Sequence, residues 1–186
     1  MCYALVYYPK LEKKKVERFR RKYDPLVDII EPHITLIFPL PANRIDENRL
    51  VNHINKTLSK WKPFDIHITG LKKSWDCWLF LLIKKGGNSI IKLHNELYTG
   101  ILAKYLRKDI EFIPHITLGS FVKKEISYDL PDSQAVALDE ERYKSAIKEA
   151  ERLNLDYRNI FDRLCLIKLN KGLSKILEIK EFKLGT

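Results

Sequence analysis

Cysteine is scarce in this chain, and long apolar runs are missing from it. Its three cysteines (Cys2, Cys77 and Cys165) stand far apart among 186 residues, each in apolar surroundings. An odd, sparse set argues against a disulfide framework or a clustered zinc site and reads as ordinary buried thiols in a reducing cytoplasm. No apolar stretch approaches the roughly 20 residues needed to span a bilayer. Cys2–Tyr8 is apolar but lacks a basic leader and a small-residue cleavage site, so it reads as an opening strand and not a signal peptide. No low-complexity tract divides the chain, and residues 1–186 are read as one domain of two packed lobes. Gly86-Gly87-Asn88-Ser89 has neither the spacing of a nucleotide-binding loop nor its Lys-Ser/Thr ending; it reads as a turn with a serine cap. Ser120 and Cys77 lack the context of an activated nucleophile.

What the chain does have is positive charge. Lysine and arginine number 34 against 24 acidic residues, a formal charge of +10. Such a surface concentrates phosphates by long-range attraction.

Apolar periodicity sets out the elements. Cys2–Tyr8 is a strand ended by Pro9. Val16, Phe19 and Tyr23 mark a helix over Leu11–Tyr23, whose other face (Lys13, Lys14, Lys15, Arg18, Arg20, Arg21, Lys22) reads as solvated. A strand His33–Phe38 is stopped by Pro39 and Pro41. Asp46–Lys60 is a second amphipathic helix. Phe64–Leu71 and Trp78–Ile83 are strands linked by a hairpin through Lys72–Trp75. Helices follow at about Ser89–Leu106 and Ser133–Leu153, around a strand His115–Val122 and a polar loop containing Pro131. The chain closes with a hairpin of Arg163–Leu169 and Ile176–Lys183 around Lys171-Gly172.

One pentapeptide occurs twice: Pro-His-Ile-Thr-Leu at Pro32–Leu36 and at Pro114–Leu118. In a strand, residues i and i+2 share a face, so His33 projects with Thr35 and His115 with Thr117. Two imidazoles can serve as base and acid near neutrality, and two hydroxyls can hold the non-bridging oxygens of a phosphoryl group. A third His-Ile-Thr, at His67–Thr69, lacks the proline and leucine context. His67 alternates against Phe64, Ile66 and Ile68, so it reads as a surface or inter-element residue. His53 and His94 lie in helices and read as interface or surface residues. No metal site is expected, because neither motif carries a further ligand at local spacing.

The doubled motif, as Pro-His-Ile-Thr-Leu-Ile-Phe-Pro and Pro-His-Ile-Thr-Leu-Gly, closely resembles the 2H phosphoesterase superfamily of 2′-5′ RNA ligase-like proteins and cyclic phosphodiesterases. The resemblance extends over nearly the whole chain. It implies an α+β, bilobed, pseudo-two-fold fold: two antiparallel sheets with flanking helices and a central cleft, one motif from each lobe. It further implies His33 and His115 as the acid/base pair, and Thr35 and Thr117 as phosphate-binding hydroxyls. For opening a cyclic phosphate, His115 would activate water and His33 protonate the leaving oxygen. The chain departs from several members in one respect: Gly119-Ser120 stands where they carry a basic residue, a role open to Lys123 or Lys124. Tyr3, Phe38 and Trp75 are candidates for base stacking.

The expected activity is metal-independent and cofactor-free hydrolysis of 2′,3′-cyclic phosphates or 2′-5′ linkages on nucleotides or RNA ends, by a cytoplasmic monomer that uses no membrane. The alternatives are the ligase direction of the same chemistry, RNA or nucleotide binding without turnover, and a scaffold whose basic helix Leu11–Tyr23 meets an acidic partner.

Overall fold

A computed structural model describes residues 1–74, 77–122 and 138–185. The chain runs β1 (Cys2–Tyr7), α1 (Lys13–Tyr23), β2 (Ile34–Pro41), α2 (Glu47–Leu58), β3 (Phe64–Ser74), β4 (Trp78–Lys85), α3 (Gly87–Leu97), β5 (His115–Ser120), α4 (Glu140–Arg152), β6 (Asp156–Phe161), β7 (Arg163–Leu169) and β8 (Ile176–Lys183). Among the described residues these form two four-stranded antiparallel sheets, in the orders β2-β1-β7-β8 and β5-β4-β3-β6. Each contains the same unit, a strand followed by a helix and then an antiparallel edge strand: β1-α1-β2 in one, β4-α3-β5 in the other. The two edge strands, which carry the repeated pentapeptide, touch each other.

One core joins the lobes. Tyr3, Leu5, Tyr7, Ile34, Leu36, Leu164 and Leu166 from the first sheet meet Ile66, Ile68, Leu79, Leu81, Ile83, Ile116 and Leu118 from the second. Helices complete it with Val16, Phe19, Leu50, Ile54, Ile90, Leu93 and Leu97. Fully burying side chains of this size contributes roughly 1.5–3 kcal/mol each. A smaller cluster of Cys2, Ala4, Val6, Ile30, Ile167 and Leu169 covers the opposite face of the first sheet.

Several boundaries differ from the sequence expectation. Strand β2 runs through Pro39 to Pro41. It is an edge strand, and an edge has positions where a missing N–H costs no ladder bond. Strand β3 continues through Lys72 and Lys73 to Ser74; Trp75 lies outside the described residues. The expected helix Ser89–Leu106 is α3 followed by a separate 3₁₀ segment, Gly100–Tyr105, because Thr99 between them is extended (ψ 172°). Its cap is Gly86, not a serine, with φ 81°. A Cβ there would sit 2.7 Å from the Asp65 carbonyl oxygen and from Ile66 Cγ2, so only glycine fits. Helix α4 starts at Glu140 behind its cap Asp139; the expected start at Ser133 and the Pro131 loop lie outside the described residues. Strand β6 was not expected at all. Among the described residues no helix is long and apolar enough to cross a membrane.

Candidate active site

The two pentapeptides adopt one burial pattern: Pro, Ile and Leu are buried, while His and Thr keep partial access to solvent. His33 lies one residue before β2, whereas His115 opens β5. Thr35 stands opposite Val6, and Thr117 opposite Phe80. Opposed residues of an antiparallel ladder share a face. Thr117 therefore faces away from the core with Phe80, which stacks on His115 at 3.5 Å between ring centroids, 15° from parallel. His33 instead meets Tyr8 edge-on at 6.3 Å.

Each imidazole is tethered alike. His33 Nδ1 lies 2.8 Å from the carbonyl oxygen of Glu31, and His115 Nδ1 lies 2.5 Å from that of Ile113. A carbonyl only accepts, so Nδ1 carries the proton and Nε2 is the proton-accepting nitrogen of the neutral ring. Both rings thus hold the tautomer suited to acid/base work through Nε2.

Burial pushes both histidines down to about 4, against an ordinary 6.5. The carbonyl hydrogen bonds oppose this fall. The Arg20 guanidinium adds to the fall at His33, with Asp24 opposing it. The charge of His33 lowers His115, which places the two rings within electrostatic reach of each other. In the unliganded protein both are neutral at pH 7. A phosphodiester anion set between them favours the protonated form of one.

The supporting shell reaches into both lobes. Arg20, on the helix face expected to be solvated, is buried at 1% exposure. It pairs with Asp24 at 2.7 Å and donates to the Ile30 carbonyl at 3.0 Å, next to the residue that tethers His33. The open edge of β2 is held by α3 and the residue after it: His94 Nδ1 donates to the Leu36 carbonyl at 2.8 Å, and Phe38 N–H donates to the Tyr98 hydroxyl at 2.9 Å. His94 is 2% exposed and stacked on Phe112, so it is structural. His53 bonds the Leu97 carbonyl, joining α2 to α3. His67 bridges β3 to β6 through Asp156 at 2.8 Å, an inter-element role as expected.

Other candidates have packing or hydrogen-bonding partners of their own. Tyr3 is buried on the core face, donating to Glu47. Phe38 packs edge-on against His94 and Phe112. Cys77 and Ser120 are buried, whereas Cys165 is half-buried and not the fully buried thiol expected. Burial raises the thiols of Cys2 and Cys165, which keeps them protonated.

Gly119 explains the departure after the second motif. A Cβ at this position would lie 2.6 Å from Tyr23 Cβ and 3.1 Å from the Tyr23 carbonyl oxygen, so α1 occupies the space a basic side chain would need. Lys123 and Lys124 lie outside the described residues. Sequence reasoning missed Lys72, assigned to a hairpin. It stands opposite Phe80 and so shares the ladder row of Thr117, two strand spacings away, about 10 Å. The signal was available, since Lys72 continues β3 directly.

Residues 8–173 match the family model of the 2′-5′ RNA ligase superfamily. A protein of Geobacillus thermodenitrificans designated a phosphoesterase is 24% identical over 169 residues, covering 90% of this chain and 87% of the relative. A Bacillus cereus protein of the same designation is 28% identical over 122 residues, 64% of this chain and 69% of its own. Among solved structures, E. coli LigT complexed with NADP+ superposes with a TM-score of 0.57 at 17% identity, over 100% of this chain and 98% of the other. LigT complexed with 3′-AMP gives 0.54 at 17% identity, with complete coverage of both chains. These structural likenesses establish the α+β two-sheet fold.

Proposed function

The chain belongs to the 2′-5′ RNA ligase superfamily of 2H phosphoesterases, and from that membership we propose that it hydrolyses 2′,3′-cyclic phosphates or 2′-5′ phosphodiester bonds of nucleotides or RNA ends. The observation that carries this reading is the matched tether: two histidines, each with Nδ1 on a carbonyl two residues back, within electrostatic reach of one another. An adventitious pair of strand histidines has no reason to share tautomer, burial and neighbourhood.

In opening a cyclic phosphate, His115 Nε2 takes a proton from water as the water oxygen attacks phosphorus. The bond from phosphorus to one ribose oxygen breaks, and protonated His33 Nε2 supplies that oxygen with its proton. Thr35 and Thr117 donate hydrogen bonds to the non-bridging oxygens, where charge must be held through the transition state. Lys72, on the row of Thr117, adds positive charge in the place of the missing basic residue. The phosphate's own charge supplies what the buried pair lacks, a reason for one ring to be protonated at neutral pH. That the similar E. coli protein has been solved with 3′-AMP bound is in keeping with a ribose phosphate as ligand.

The test is turnover of 2′,3′-cyclic nucleotides and 2′-5′ linked dinucleotides in the presence of a chelator, with the regiochemistry of the product read out. Turnover that survives chelation and disappears in both His33→Asn and His115→Asn supports the reading. Binding without cleavage of any of these substrates would sink it.

A further inference from the structure

A cleft of about 680 Å³ opens where the two sheets join, lined by Tyr8, Lys10, Asp65, Arg158, Asn159 and Ile160, with Asp162 and Arg163 at the β6–β7 junction. It begins one aromatic ring from the candidate acid, because Tyr8 lines the cleft and also meets His33 edge-on at 6.3 Å. Two of its lining residues are tied together. The Asn159 side chain clamps the backbone of Lys10 from both sides, accepting from its N–H at 2.6 Å and donating to its carbonyl at 3.1 Å. Asn159 itself is 8% exposed.

The charges in this cleft do not cancel. Asp162 is taken by Arg163 at 3.0 Å, and Asp65 by Lys85 at 3.2 Å. Lys10 and Arg158 make no ion pair among the described residues and carry the excess positive charge, with Lys10 acting on Asp162 only from beyond contact distance. Beside them Ile160 leaves 60% of its surface in solvent. Two cations outside any ion pair, next to an exposed apolar side chain and a tyrosine, fit a phosphate joined to a flat, apolar-faced base. The volume lies within the range of small-molecule sites, about 300–1,000 Å³.

We propose that this cleft binds the nucleotide next to the reacting end of an RNA chain, with Lys10 and Arg158 on the internucleotide phosphate and Tyr8 and Ile160 against the base. This rests on the phosphoesterase reading and sharpens it: the preferred substrate is an oligonucleotide end and not a free cyclic mononucleotide. The side chains serve only to bind, and no bond is made or broken in the cleft.

Direct binding separates this inference from catalysis. Titration calorimetry with RNAs of one and two nucleotides, both ending in a 3′-phosphate, is expected to show the longer ligand bound about tenfold more tightly. Arg158→Gln and Lys10→Gln should each shrink that advantage severalfold. Each should also flatten the salt dependence of the longer ligand by about 0.7 in log–log slope, the value for one phosphate contact on a single strand. Unchanged melting temperatures would show that the variants fold. Equal affinities for the two lengths, or an advantage that both variants retain, overturn the proposal. Cleavage of cyclic ends with equal affinities sinks the cleft proposal alone. Length-dependent binding without cleavage of any substrate leaves the cleft and sinks the phosphoesterase reading.

Discussion

Arg20 holds the carbonyl of Ile30 at 3.0 Å from a position closed to solvent, and the next carbonyl along the chain, that of Glu31, is the one that tethers His33. The guanidinium therefore reaches the candidate acid in two ways, through the backbone it fixes and through its charge. Removing one partner of a buried ion pair costs about 3–5 kcal/mol, because the other charge stays buried. Arg20→Met should show a loss of that order in denaturant unfolding. The double variant Arg20→Met with Asp24→Leu should recover much of the stability. It should still show kcat reduced by about tenfold or more and an altered acidic limb of the pH–rate profile. A double variant with wild-type stability, kcat and pH profile would show that Arg20 serves the fold alone.

Replacing either histidine with asparagine keeps a polar side chain of similar bulk and removes proton transfer. Each single variant is expected to lose 10²–10⁴ in kcat, the usual contribution of a general acid or base. The double variant should lose far less than the product of the two, since the groups act as a unit. Unaltered circular dichroism would confirm that the loss is chemical.

The same histidines make stability depend on pH. Burial lowers their folded-state values from 6.5 to about 4, so the unfolded chain binds more protons between those limits. Stability then rises with pH across the window: the contribution is complete above 6.5 and lost as pH falls toward 4. Denaturant midpoints measured from pH 7.5 to pH 4 should fall, and His115→Asn should flatten the fall. The rate should show its own signature. The ratio kcat/KM reports the free protein and should decline above about pH 4, whereas the alkaline limb of kcat should lie higher because bound phosphate favours the protonated ring. A kcat/KM maximum near pH 8 would contradict the burial found for both rings.

Glu47 anchors the first turn of α2 to the first sheet, receiving hydrogen bonds from Lys180, Tyr3 and Lys168 that hold its carboxyl down to about 2. Its ordinary value is 4.5, so its contribution is present above 4.5 and lost as pH falls toward 2. Glu47→Gln should cost roughly 1–2 kcal/mol at pH 7, discounted for partial exposure. The difference from wild type should close at pH 2–3 in thermal melts. Activity at neutral pH and moderate temperature should be unaffected.

Gly119 offers a test of the packing between α1 and β5. Gly119→Ala places a methyl group 2.6 Å from Tyr23 Cβ and should cost about 1–3 kcal/mol in unfolding free energy. Full stability in that variant would show that α1 yields easily. Room for a basic side chain would then exist after all.

Much of the site could be read from the chain because the strand period alone relates His33 to Thr35 and His115 to Thr117, and the pentapeptide context separates them from His67. Arg20 could not be read this way. Its helical spacing places it at the margin of the basic face, and only the fold of Asp24–Glu31 back over α1 encloses it. Strand β6 was invisible for a related reason. Asp156, Arg158 and Ile160 alternate outward on an edge, so Asn159 and Phe161 are buried without an apolar repeat to announce them. Pro39 and Pro41 misled because a proline forbids a central strand but tolerates an edge, and edge position is a tertiary fact.

The sheet that bears His33 is assembled from residues 2–41 and 163–183, whereas the sheet that bears His115 draws all its strands from residues 64–161. Pairing of β1 with β7 brings together strands that end at Tyr7 and begin at Arg163, and contacts of such long range slow folding. During synthesis the His115 sheet can close while β7 and β8 are still inside the ribosome, leaving the β1-α1-β2 unit without its β7 partner until the end. The two halves of the candidate site therefore mature in sequence. A chain interrupted before residue 163 would present one ordered histidine and one unsupported.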